Sequence, residues 1–180
     1  MPQPIEAGII ANAQAGDRQA FRSIVEQYQG FLYAVAYRYF GHAEEAEDAV
    51  QETFIKVWKN LSRYRPEVKL STWLYKILVN HCMDMFKSTA QRGWRSQQEL
   101  SAARHLPAYE AKEWEYREAM DLVTEAASHL PEKQKWVFVL RDLQGLNVRE
   151  VGGIMDLGED RVKSNLYHAR KKVSEYVQRH

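Results

Sequence analysis

Apolar residues recur at three- and four-residue spacings through most of this chain, and no run of alternating strand-type residues interrupts them. A period near 3.6 buries its apolar side only in a helix, so the spacing commits the chain to helices packed on helices. Asp17 is a good N-cap for the first long stretch, in which Phe21, Ile24, Val25, Tyr28, Leu32, Val35, Ala36 and Tyr39 share one side. Gly41 ends it. A second stripe runs through Ala46, Val50, Phe54, Val57 and Leu61. After the turn-like Arg65-Pro66-Glu67, Ser71 or Thr72 is expected to cap a third helix carrying Leu74, Ile77, Leu78 and Met85. The fold class expected is all-α.

The pattern weakens from about residue 88 to 111, where Gly93, Pro107 and many polar residues gather, and returns with Tyr116, Ala119, Met120, Val123, Ala127 and Leu130. With 180 residues available, the expectation is two small helical domains, 1–95 and 113–180, joined by a flexible linker over 96–112. No stretch approaches the roughly 20 apolar residues of a membrane span, and no secretory signal opens the chain. The single cysteine, Cys82, cannot form an internal disulfide and suits a cytoplasmic location. A net charge of +1 argues against nucleic-acid binding by bulk charge, but the charges are segregated. Glu44, Glu45, Glu47, Asp48 and Glu52 cluster early, whereas Arg161, Lys163, Arg170, Lys171, Lys172 and Arg179 make the carboxy-terminal end basic. Two different partners fit that asymmetry, one of them polyanionic.

The basic end has helix-turn-helix punctuation. Pro131 suits a first helical turn, Trp136, Val137 and Leu140 give a buried face, and Gly145 is a stop. Asn147 and Glu150 form a capping box for a short helix with Val148, Val151 and Ile154 inside. Asp156-Leu157-Gly158 is a break, and a second helix follows from Glu159 with Val162, Leu166, Ala169 and Val173 facing inward. Its other face offers Arg161, Lys163, Ser164, Tyr167, His168 and Lys171. Lys163 and Ser164 suit base edges in a major groove, with Tyr167 and His168 one turn later, while Arg149, Arg170 and Lys171 suit phosphates. A solvated basic face on a helical bundle is the plain alternative. The run LPEKQKWVFVLRDLQGLNVREVGGIMDLGEDRVKSNLYHARKKV resembles region 4 of extracytoplasmic-function (ECF) sigma factors of the sigma-70 family, which implies recognition of the minus-thirty-five promoter element. It departs from the family at Gly152-Gly153, where Ala-Glu or a similar pair is common; each helix glycine costs about 1 kcal/mol relative to alanine. The pair is expected to permit a close helix crossing or to soften the helix.

The segment DAVQETFIKVWKNL, 48–61, resembles region 2.2 of the same family. Asp48, Gln51, Glu52, Ile55 and Lys59 lie on its outer side, and the resemblance implies that they grip clamp helices of core RNA polymerase. On spacing alone, a solvated face is the simpler account. The next segment, YRPEVKLSTWLYKILVNHCMDMF over 64–86, resembles regions 2.3 and 2.4. Trp73, Lys76, Asn80, Asp84 and Lys87 fall near one helix face; an aromatic ring, an amide and cations together suit a single strand. With Tyr64 and the loop 63–70, these residues are implied to hold the melted minus-ten element.

The six histidines are scattered without metal-ligand spacing, and no phosphate-cradling glycine loop is present. No cofactor, metal, small-molecule substrate or catalytic residue is therefore expected, and the chain is read as a non-enzyme. The resemblance implies core RNA polymerase, promoter DNA in duplex and melted form, and an anti-sigma factor as partners. Two rivals stay open on the residues alone. One is a helix-turn-helix repressor or activator that binds duplex DNA unaided; the other is a helical adaptor that binds only proteins.

Overall fold

The computed structural model describes residues 4–91 and 111–180, with side chains over 4–85 and 119–180. The described residues form helices α1 (Ala7–Gln14), α2 (Arg18–Phe40), α3 (Ala43–Asn60), α4 (Leu70–Gln91), α5 (Ala111–Ser128), α6 (Glu132–Phe138), α7 (Val148–Met155) and α8 (Glu159–Val177). A 3-10 turn, Leu61–Arg63, follows α3, and a π-helical turn, Val139–Leu143, extends α6. No strand occurs among the described residues, as the periodicity requires. Of the expected linker, 96–110 lies outside the described residues, while its last two, Ala111 and Lys112, open α5.

Local chemistry sets the helix ends. The Asp17 carboxylate accepts hydrogen bonds from the backbone N–H groups of Gln19 and Ala20 (2.8 and 3.2 Å), and Gly41 closes α2 in the left-handed region at φ 78°. Ser71 and Thr72 do not cap α4, which begins one residue earlier at Leu70. Leu70 is buried and draws the first turn into the core, and the Lys69 carbonyl accepts the Trp73 N–H at 3.1 Å. Helix α1 was not expected from the sequence. It is two turns long and packs on α2, and the Gln14 side-chain amide donates to the carbonyls of Leu61 (2.9 Å) and Tyr64 (3.0 Å).

Helices α1–α4 enclose one core, built from Ile24, Leu32, Val35, Val57, Leu74, Leu78 and Val79. Helices α5–α8 extend the same continuous cluster around Trp136, Leu140, Leu146, Ile154, Val162 and Ala169. The two groups are docked together, α7 lying on α4, and α5 and the π-helical turn lying on α2. Along this seam the rings of Tyr39 and Trp136 stack at 4.0 Å with an 11° tilt, and Lys135 lies 4.6 Å from the Tyr39 ring centroid. Arg38 donates to the Leu143 carbonyl at 2.9 Å.

Candidate nucleic-acid interface

The outer face of α3 carries Asp48, Gln51, Glu52, Ile55 and Lys59, all exposed, because Ala46, Val50, Phe54 and Val57 on the opposite side of the helix fill the core. Beside this face, α2 and α3 enclose an open groove of about 1050 Å³ lined by Phe21, Val25, Tyr33, Phe54, Ile55 and Trp58. The sequence pattern places Phe21 and Val25 in the core stripe; the structure leaves both half-buried on the groove wall, where Phe21 packs 4.8 Å from the Trp58 ring. Sequence spacing does not mark Trp58 and Tyr33 as site residues. Their aromatic character was the available signal, but which side of α2 stays uncovered depends on how α3 docks. An apolar trough flanked by charge suits a helical protein partner.

The α4 face is built differently. Asn80 and Asp84 are exposed, and Trp73 is half-buried with its ring 5.3 Å from Tyr64. Tyr64 itself is buried, and its hydroxyl donates to the Val68 carbonyl at 2.8 Å, so its ring braces the loop 63–70 from beneath rather than standing open for a base. Val68, at 48 % exposure, is the apolar tip of that loop. The Lys87 side chain lies outside the described residues. Two cations of this face are engaged with the other half of the molecule: Lys76 pairs with Asp156 at 2.6 Å, and Lys69 with Glu150 at 2.8 Å. Below the face, Lys56 donates to His81 Nδ1 at 2.8 Å. Burial and the Lys56 ammonium hold His81 below its ordinary 6.5, against the opposing pull of Glu52 and Asp84.

In the helix-turn-helix, the capping box is complete: the Asn147 side chain accepts the Glu150 N–H at 2.9 Å, and Glu150 accepts the Asn147 N–H at 3.0 Å. Burial alone would raise the Glu150 carboxyl, but the bonds from Lys69 and Asn147 outweigh it and hold the group below the usual carboxylate range. Asp156 ends α7 with φ 52°, the one non-glycine positive φ among the described residues. Val162, Leu166, Ala169 and Val173 are buried, and Arg161, Lys163, Ser164, Tyr167, His168 and Lys171 all face solvent, with Tyr167 66 % exposed. Arg149 lies 3.7 Å from Glu159, and Lys163 3.8 Å from Asp160, so the acids at the start of α8 partly neutralise the cations beside them. Arg170 is not an open phosphate contact in this structure. Its guanidinium grips Asp142 of the π-helical turn through two bonds of 2.7 and 2.6 Å.

No described helix is long and apolar enough to cross a membrane. Two family descriptions match the chain: Sigma-70 region 2 over residues 24–92, and Sigma-70, region 4, over residues 120–173. The ECF RNA polymerase sigma-E factor of Haemophilus influenzae is 28 % identical, over 98 % of this chain and 97 % of its own. The ECF RNA polymerase sigma factor SigW of Bacillus subtilis is 28 % identical, over 90 % and 91 %. Among solved structures, CnrH in complex with the cytosolic domain of CnrY superposes with a TM-score of 0.69 at 23 % identity, over 94 % of this chain and 95 % of that one. The sigma factor RpoE of Bartonella quintana, in complex with the anti-sigma factor NepR, gives 0.71 at 22 %, over 88 % and 96 %. Region 2 falls on α2–α4 and region 4 on α5–α8, in the family's order and over most of the chain's length, and the chain therefore belongs to the sigma-70 family, among its ECF sigma factors.

Proposed function

We propose that this chain binds core RNA polymerase and directs it to promoters, as a non-catalytic initiation factor working in the cytoplasm under the restraint of an anti-sigma factor. The observation that carries this reading is the pairing, in one chain, of an exposed charged-and-apolar α3 face beside an aromatic groove with a helix-turn-helix whose basic α8 face is open. The groove and the α3 residues Asp48, Gln51, Glu52, Ile55 and Lys59 form the polymerase-binding surface. Trp73, Lys76, Asn80, Asp84 and Lys87, on a loop base held by Tyr64, receive the melted minus-ten strand. Arg161, Lys163, Ser164, Tyr167 and His168 read the minus-thirty-five duplex, and Arg149 and Lys171 position its phosphates; Arg170 joins them once released from Asp142. The working division is a region 2 domain over 1–95, a linker over 96–112 and a region 4 domain over 113–180. The anti-sigma factor enters through the named complexes of the two structural neighbours.

Run-off transcription with purified core polymerase and a promoter library tests the proposal. A promoter-selective product that depends on this chain is expected. If active core enzyme yields no such product, the proposal fails, and tight duplex binding without transcription identifies an ordinary helix-turn-helix regulator instead.

A further inference from the structure

Charge is sorted along two exposed helix faces, and the two orders match when the helices run antiparallel. On α3, Glu44, Asp48 and Glu52 recur at one-turn intervals and Lys59 follows at the far end, all of them exposed. No salt bridge holds these three acids among the described residues. On α8, Glu159 and Asp160 come first, and the exposed Lys163 and Lys171 follow. Glu44 and Glu52 are eight residues apart, as are the two lysines, which is about 12 Å along a helix. Laid antiparallel, the lysines meet Glu52 and Glu44, and the acids opening α8 approach the end of α3 that carries Lys59. Between the lysines stands Tyr167, at 66 % exposure the most open large apolar side chain among the described residues. Beside the α3 acids runs the groove of about 1050 Å³, whose wall also includes Gly30, Glu47 and Gln51. A methyl group added at Gly30 would meet nothing within 4 Å, so the wall leaves room there. A tyrosine needs an apolar slot for its ring and a polar partner for its hydroxyl; Tyr33 with Gln51 or Glu47 supplies both.

We propose that the chain self-associates, α8 of one copy docking in the α2–α3 groove of a second copy. Tyr167 seats beside Gly30 and Tyr33, and Lys163 and Lys171 lie against Glu52 and Glu44. The two patches differ, so the contact is complementary between copies, each residue of one patch meeting a different residue of the other. A net charge of +1 leaves little overall repulsion between copies. The ion pairs stay near solvent, so the association is weak and sensitive to salt. It covers the α3 face of one copy and the α8 face of another, and therefore competes with any partner of either. It requires neither polymerase nor promoter DNA and goes beyond the function proposed above.

Sedimentation velocity of the full-length protein tests this directly. At about 0.05 M salt, the average mass should rise above the monomer as concentration climbs from about 1 to about 100 µM. It should return to the monomer at about 0.5 M salt, where charges are screened within about 4–5 Å. Asp48→Lys with Glu52→Lys should weaken the association about 10-fold, and so should Lys163→Glu with Lys171→Glu. All four side chains are exposed, so thermal melts should stay near wild type. Mixed in equal amounts, the two double variants should associate with each other, because the reversed charges match again. Tyr167→Ala should weaken the association about 10-fold, and Tyr167→Phe much less. A mass that stays monomeric at low salt would overturn the proposal. So would association that survives either charge reversal, or reversed variants that fail to combine. Promoter-selective transcription by wild type scores the sigma assignment separately, so the two readings can fail independently.

Discussion

Gly152 and Gly153 stand side by side in α7, yet an added methyl group would meet different surroundings at each. At Gly152 it would come within 2.7 Å of the Leu157 carbonyl oxygen, whereas at Gly153 nothing lies within 4 Å. The first glycine lets the chain fold back tightly beneath α7, and the second is an exposed helix residue without a steric need. Gly153→Ala should therefore raise the unfolding free energy by about 1 kcal/mol, and Gly152→Ala should lower it by about 1–3 kcal/mol, both measurable by urea denaturation. A further residue-scale outcome concerns His81. Its folded pKa lies below 6.5, so on acidification the unfolded chain takes up the proton first, and stability falls as the pH drops below about 6.5 toward the folded value. Replacing His81 with Gln, which can still accept from Lys56, should flatten that part of the pH–stability curve, as thermal melts between about pH 7.5 and 5 would record.

Among the elements, α3 has the most to test. Its inner residues are fixed by the core, and its outer ones are free to be changed. Alanines at Gln51, Glu52 and Ile55 should leave the melting curve near wild type and weaken association with core polymerase about 10-fold, read by co-sedimentation or fluorescence anisotropy. Much of this level was legible in advance. The stripes of α2, α3 and α8 and the Asn147–Glu150 capping box follow from local spacing, and local spacing decides helices. Three features were not. Helix α1 is too short to show a periodic stripe, and its place depends on Gln14 meeting carbonyls 47 and 50 residues later. The π-helical turn at Val139–Leu143 has no composition signal; its side chains and carbonyls answer Arg170 and Arg38 from elsewhere in the chain. Tyr64 reads as an aromatic fit for bases, but its hydroxyl found the Val68 carbonyl and its ring went inward.

At the scale of the molecule, the docking of the two halves was the least legible feature, since its ion pairs join residues 80 and 81 positions apart. The buried chemistry near the seam also gives the whole protein a pH signature. Burial lowers Lys135 to about 8, with Glu45 opposing, so the unfolded chain holds a proton that the folded chain has released between there and the ordinary 10.5, and stability rises with pH across that window. Cys82, pushed up to about 12 by burial, acts oppositely from its ordinary 9.0 upward, and Tyr75, also raised to about 12, does so from 10.0. Urea midpoints should climb from about pH 8 to 9, level off, and fall beyond about 10, and the Lys135→Met variant should lack the climb. The bridge from Gln14 to the carbonyls of Leu61 and Tyr64, at the start of the loop 63–70, has a practical side. Trimming the chain back to Asp17, or fusing a bulky handle against α1, would cost each of those oxygens one donor, although the Tyr64 N–H still reaches Leu61 and the Arg65 guanidinium still reaches Tyr64. Expression schemes that treat the amino end as dispensable would thereby loosen the start of the loop 63–70, from a point some fifty residues before it.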